Sequence, residues 1–407
     1  MTVLPRADPA DVGINAARLT RLDDHLRDYD RAGRLPGSAI LIARRGAVAH
    51  VATSGLMDIA RAVPTAEDTI FRIYSMTKPI TAIAALQLFE EGRLQLDDRL
   101  DTYIPSFAHT GVYRSGMLGS FETVPPERPI TLRDLFTHTS GLTYWIQNRS
   151  PVDEAYRTLK LVATDTPLAV WVDKVAGLPL EFSPGTAWNY SVSTDVLGRV
   201  VEIVADAPLG DIFRTRIFEP LGMVDTDFWV PPEKADRLAA CYQRTAHNPL
   251  ALFDDARHSR YLARPALQSG GGGLVSTLLD YAKFAQALCN GGHLHGERIL
   301  GRKTLDLMAS NHLPGGQDLT ELSISLFSEG TMSGIGYGLG VAVTMDPAKT
   351  QLPGSAGEFF WGGAASTYFF VDPAEELIVV FMTQLLPSSA LNLRRELRTM
   401  IYAALED

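Results

Sequence analysis

Over residues 15–33 apolar residues recur at three- and four-residue spacing among charges, and Leu19, Leu22, Leu26 and Tyr29 fall on one face. That spacing predicts an amphipathic surface helix. The period then changes. Residues 38–52 are two β-rich runs divided by Gly46, which predicts a hairpin. A similar signal returns only near the end, in 337–343, 366–371 and 376–382, before a helical tail from about Leu391. Strands at both ends with helices between them predict one sheet assembled from distant segments. The middle carries helical patterns over Ile80–Glu91, closed by Gly92, and over Leu168–Val175, Thr194–Ala205 and Thr277–Leu288. Pro/Gly loops join them, with no internal repeat or low-complexity tract. Gly270–Gly273 lacks a following Lys-Ser/Thr, so it reads as a tight turn and not a phosphate cradle.

Composition narrows the function. With 407 residues and 46% hydrophobic ones the chain can fold, and its length points to two lobes, because single cores stop growing at roughly 250–300 residues. The 37 basic residues against 47 acidic ones leave a net charge of -10, which repels nucleic acid and anionic lipid. The two cysteines, Cys241 and Cys289, are too few for a disulfide framework and read as reduced thiols. The N-terminal segment has no leader pattern and no apolar run reaches about 18 residues, so a soluble, cytoplasmic protein with no membrane contact is expected. Oligomeric state is not readable.

Only seven of the basic residues are Lys, at 78, 160, 174, 234, 283, 303 and 349, and one of them has a serine three residues upstream. That pair is Ser75-Met-Thr-Lys78, just before the strongest central helix. Residues i and i+3 share a helix face, so the hydroxyl and the amine can meet. A serine needs a base to become a nucleophile, and a helix start points N–H groups at an oxyanion. Alone, the pattern is a weak signal and reads first as a helix-capping serine beside a surface lysine.

Its company changes that reading. In order follow Leu135-Phe-Thr-His-Thr-Ser-Gly-Leu142, Tyr190-Ser-Val192 after Phe182-Ser-Pro-Gly, Pro220-Leu-Gly-Met, Gly336-Tyr-Gly-Leu-Gly340 and Trp361-Gly-Gly363. This string resembles the penicillin-recognising serine hydrolases, which include class C β-lactamases and DD-peptidases, and most closely the family VIII carboxylesterases, from about residue 10 to 400. The resemblance implies an α/β (α+β) fold: an antiparallel sheet flanked by helices, built from 1–75 and 330–407, with a mainly helical domain, 76–329, inserted. It implies Ser75 as the acylated nucleophile, Lys78 as its partner, and Tyr190 as general base and proton donor to the leaving group. The oxyanion hole would be the backbone N–H groups of Ser75 and Ala364. A small-molecule ester substrate is implied, with no cofactor and no metal.

Two departures shape the substrate. Trp361 stands where β-lactamases and peptidases carry a cation, usually the lysine of Lys-Thr-Gly, and Val192 stands where they carry an asparagine. Trp361, Gly362, Gly363, Tyr144 and Val192 are therefore expected at the substrate. Without a fixed positive charge, the pocket should favour neutral esters over anionic β-lactams by about 1–3 kcal/mol. A β-lactamase, a D-aminopeptidase-like amidohydrolase or an acyltransferase on the same site are the alternatives, and a non-catalytic binding module is a remoter one. His109-Thr-Gly111 imitates the third motif out of order. His138 reads as structural, since the chain has no G-x-S-x-G elbow. His293, His295 and His312 lack zinc-site spacing.

Overall fold

The computed structural model describes residues 4–163, 165–324 and 332–407. The first residues of the segment read above for a leader, and the boundary placed at 329–330, lie outside them. Helix α1 (Ala16–Arg31) buries Leu19, Leu22, Leu26 and Tyr29, and the Asn15 side chain caps it by accepting from the Arg18 N–H. Strands β1 (Gly37–Arg44) and β2 (Ala47–Asp58) form the expected hairpin, followed by β3 (Val63–Pro64). Its two-residue turn puts Arg45 at φ 53° and Gly46 at φ 78°, the left-handed pair that matches strand twist. Three helices of the middle segment bear on the site: α2 (Thr77–Glu90), α3 (Leu132–Thr137) and α4 (Ser193–Ala205). A fourth, α5 (Leu278–Cys289), bears on the sheet. The C-terminal part supplies β4 (Ile335–Tyr337), β5 (Ala342–Thr344), β6 (Phe359–Gly362), β7 (Tyr368–Asp372), β8 (Leu377–Thr383) and α6 (Leu393–Tyr402).

These strands make one antiparallel sheet in the order β4-β5-β6-β7-β8-β1-β2-β3. The junction between the two chain ends is the pairing of β1 with β8, from Ser38 opposite Thr383 to Arg44 opposite Leu377. Side chains alternate along β1: Ile40 and Ile42 join an apolar cluster with Leu22 and Leu26 of α1 and Leu397 and Ile401 of α6. Ala39, Leu41 and Ala43 point the other way, into a larger cluster with Tyr281 and Phe284 of α5. Both faces are covered, which is why β1 reads as an unbroken Ala-Ile-Leu-Ile-Ala run. Helix α5, from the middle of the sequence, packs on β8 and β7. Helix α2 is apolar on every side and buried accordingly.

Two sequence expectations differ from the fold. Residues 337–343 are not one strand: a turn with Gly340 at φ 91° splits β4 from β5, and a Cβ at Gly338 would lie 2.1 Å from the Met308 carbonyl oxygen. Strand β6, four residues long and ending in the third motif, was not marked by any alternation. No helix among the described residues is long and apolar enough to cross a membrane.

Candidate active site

Ser75 lies in a single 3₁₀ turn, Tyr74–Met76, that runs directly into α2. Tyr74, just before it, is held at φ 43°, a left-handed conformation that costs a non-glycine residue energy and is seen where surrounding structure enforces it. Lys78 sits one turn on and is fully buried. Its Nζ donates to three acceptors: the Gly271 carbonyl at 2.6 Å, the Tyr144 hydroxyl at 3.1 Å and Ser75 Oγ at 3.3 Å. An ammonium has three N–H groups, so all three are used, and one of them points at the serine.

Tyr190 reaches the same place from the segment before α4. Lys78 Nζ stands 4.7 Å above the centre of its ring, and Trp361 Nε1 donates to its hydroxyl at 3.3 Å. The tryptophan in the place of the missing third-motif cation thus holds the phenol oxygen with a donor. His138, left-handed at φ 58° where α3 ends, is buried against the Tyr190 ring at 4.9 Å, and its Nδ1 lies 3.2 Å from Ser191 Oγ. Burial, seconded by the Lys78 charge, keeps this imidazole well below the usual histidine range, so it is neutral and structural, as the sequence implies.

The opposite wall is the turn after β6. Gly363 is forced by space: a Cβ there would lie 2.2 Å from Thr367 Oγ1 and 2.5 Å from the Ile73 carbonyl oxygen. This close approach brings the backbone of Ala364 alongside the turn that carries Ser75, and both residues line one cavity of about 120 Å³. Arg394 of α6 fixes the turn from behind, donating to the carbonyls of Gly363 at 2.8 Å and Thr367 at 3.1 Å. Gly363→Ala should lower kcat/KM for a short p-nitrophenyl ester by about 10²–10³, the usual loss when an oxyanion donor is displaced, as a steady-state comparison with the parent would read.

Tyr190, Trp361, Gly362 and Gly363 line the cavity with Ser75, beside the apolar Met332, Ile335 and Phe360. Two expected substrate residues do not. Val192 is fully buried where α4 begins, and Tyr144 is drawn behind the cavity to Lys78. A third expectation is corrected as well: the pocket does hold fixed positive charge. Arg394, Arg395 and Arg398 of α6 line it, and none of its lining residues is acidic. The charge comes from the last helix folding over the sheet and not from the third motif. The signal available in the sequence was the run Leu393-Arg-Arg-Glu-Leu-Arg398, with arginines at i, i+1 and i+4 of the helical tail.

Asp195 was also missed. In the first turn of α4, its Oδ1 accepts from Ser269 Oγ at 2.5 Å and from the Gly271 N–H at 3.0 Å. It therefore holds the loop whose carbonyl accepts from Lys78. Burial raises its carboxyl above the usual range, opposed by the Lys78 charge. Position 271 must be glycine because a Cβ would stand 2.3 Å from Asp195 Oδ2. His109 is exposed on a separate cavity that does not contain Ser75. Burial pushes the Cys241 and Cys289 thiols up to about 11 and about 12, so both are unreactive.

Residues 22–402 match the family model described as Beta-lactamase. Esterase EstB of Burkholderia gladioli is 31% identical over 394 residues, covering 92% of this chain and 93% of that protein. Lovastatin esterase of Penicillium rubens is 32% identical over 341 residues, covering 77% and 79%. Among solved structures, EstCE1, described as a hydrolase with promiscuous acyltransferase activity, matches with a TM-score of 0.79 at 28% identity, over 95% of this chain and 98% of that one. The chain belongs to the β-lactamase family, and within that family it is a serine hydrolase of the family VIII carboxylesterase group.

Proposed function

We propose that the protein hydrolyses small to medium acyl esters through an acyl-enzyme on Ser75, with Lys78 and Tyr190 managing the protons. The observation that carries this reading is that Lys78 donates to Ser75 and stands over the Tyr190 ring, while Ser75, Tyr190 and Ala364 line one cavity. Ser75 Oγ attacks the ester carbonyl as its proton passes to Tyr190, which reacts as the phenolate with Lys78 Nζ over its ring and the Trp361 N–H on its oxygen. The carbonyl electrons move onto oxygen, met by the N–H groups of Ser75 and Ala364. The tetrahedral adduct collapses as Tyr190 gives the proton to the departing alcohol. Water then attacks the acyl group along the same path, and Ser75 recovers its proton. Lys78 keeps its three bonds throughout, so charge is stabilised without rearranging the site.

Incubation with an active-site phosphonate should add one phosphonyl mass to the peptide containing Ser75; an unmodified protein would favour the non-catalytic module. The acyltransferase alternative draws support from the description of EstCE1, because an acyl-enzyme reached by an alcohol before water transfers its acyl group. The β-lactamase alternative is separated by comparing kcat/KM for nitrocefin with that for p-nitrophenyl butyrate. The ester should be preferred, because the arginines of the cavity come from α6 and Trp361, not a cation, occupies the third-motif position.

A further inference from the structure

Beneath the arginine wall lies a group of ionisable side chains that the reaction does not use. Arg398, 3% exposed, lines the cavity on one side and on the other meets Glu358, which is fully buried and sits just before β6. Arg398 Nη1 is 2.5 Å from Glu358 Oε1. The other carboxyl oxygen, Oε2, is 2.5 Å from the Tyr402 hydroxyl, and that hydroxyl is also 2.6 Å from Asp372 Oδ2. Asp372 is itself fully buried, and its Oδ1 accepts from the Ala374 N–H at 3.0 Å. The groups facing Glu358 are thus Arg398 and Tyr402 from α6 and Asp372 from the end of β7, with the Tyr368 phenol nearby on the same strand.

One phenol stands between two carboxyl groups and has one proton to give. Both short contacts are satisfied only if a second proton is present. One arrangement satisfies both short contacts beside the Arg398–Glu358 ion pair: a protonated Glu358 Oε2 donates to the Tyr402 oxygen, and Tyr402 donates to Asp372 Oδ2.

We propose that Glu358 determines the charge preference of the substrate cavity without lining it: protonated, it leaves Arg398 as an uncompensated cation facing the ester, and ionised, it cancels that cation. With Arg394 and Arg395 constant, the protonated state favours esters that carry a carboxylate, and the ionised state shifts the preference towards neutral ones. Burial, opposed by Arg398, pushes the Glu358 carboxyl up to about 8, so the change falls within a workable pH range. The inference rests on the esterase reading only for its kinetic test.

The test compares monoethyl succinate with ethyl butyrate, two four-carbon acyl esters that differ by one carboxylate, ionised throughout. The ratio of their kcat/KM values cancels the titration of the shared catalytic groups. It should fall about fivefold between pH 6.5 and 9.5, roughly the effect of one charge across a partly solvated cavity. Glu358→Gln should hold the ratio high and flat. Asp372→Asn, which removes the need for the extra proton, should hold it lower and flat. A parent ratio constant within twofold, or the same fall in Glu358→Gln, overturns the proposal; the parent curve decides alone if neither variant folds. Should neither ester be cleaved, the esterase reading fails separately. The switch is then read from equilibrium binding of monoethyl succinate to the Ser75→Ala protein, whose affinity should drop several-fold over the same range; unchanged affinity overturns it.

Discussion

Ser75→Ala is expected to reduce kcat/KM for p-nitrophenyl butyrate by at least about 10⁴, close to the loss of the whole catalytic unit, because the nucleophile of such a unit has no substitute. The hydroxyl accepts from Lys78 at 3.3 Å and is only partly buried, and Lys78 retains its stronger bond to the Gly271 carbonyl. The variant should therefore fold and melt near the parent temperature, which separates lost chemistry from lost structure. Retention of most of the parent turnover would place the chemistry elsewhere.

Lys78→Met is expected to cost at least about 10³ in kcat/KM, since members of one catalytic unit fail together. The side chain is fully buried, and its removal leaves the Gly271 carbonyl and the Tyr144 hydroxyl without their donor. A buried acceptor deprived of its partner costs about 1–3 kcal/mol, so this variant should also lose melting temperature, unlike Ser75→Ala. The two defects are separable by labelling: phosphonylation of Ser75 should slow by a factor similar to that on ester turnover. Normal labelling with low turnover would confine Lys78 to the deacylation half.

What the sequence made legible follows from how local each cause is. Helix α1 was readable because burying Leu19, Leu22, Leu26 and Tyr29 needs only a 3.6-residue period. Ser75 and Lys78 were readable because their meeting depends on one helical turn. Tyr190 and Trp361 came from a family pattern; no local rule says that the indole of one reaches the phenol of the other across 171 positions. Tyr144 was assigned to the substrate and is instead a partner of Lys78, 66 positions away, since an aromatic residue near a motif can face either side of it. Asp195 looked like any acidic residue in a first helical turn. The arginine wall escaped because charge was sought at the third motif, while α6 supplies it from a helix whose position over the sheet depends on tertiary packing. Strand β6 escaped because Phe-Phe-Trp-Gly has no alternation.

The pairing of β1 with β8 also has a consequence during synthesis. Residues 37–44 are synthesised long before their partner on one side, residues 377–383. In that interval an apolar strand destined for burial on both faces presents an open edge, the feature that invites pairing with other chains. A stop codon anywhere before residue 377 removes that partner strand and leaves this edge of β1 unpaired.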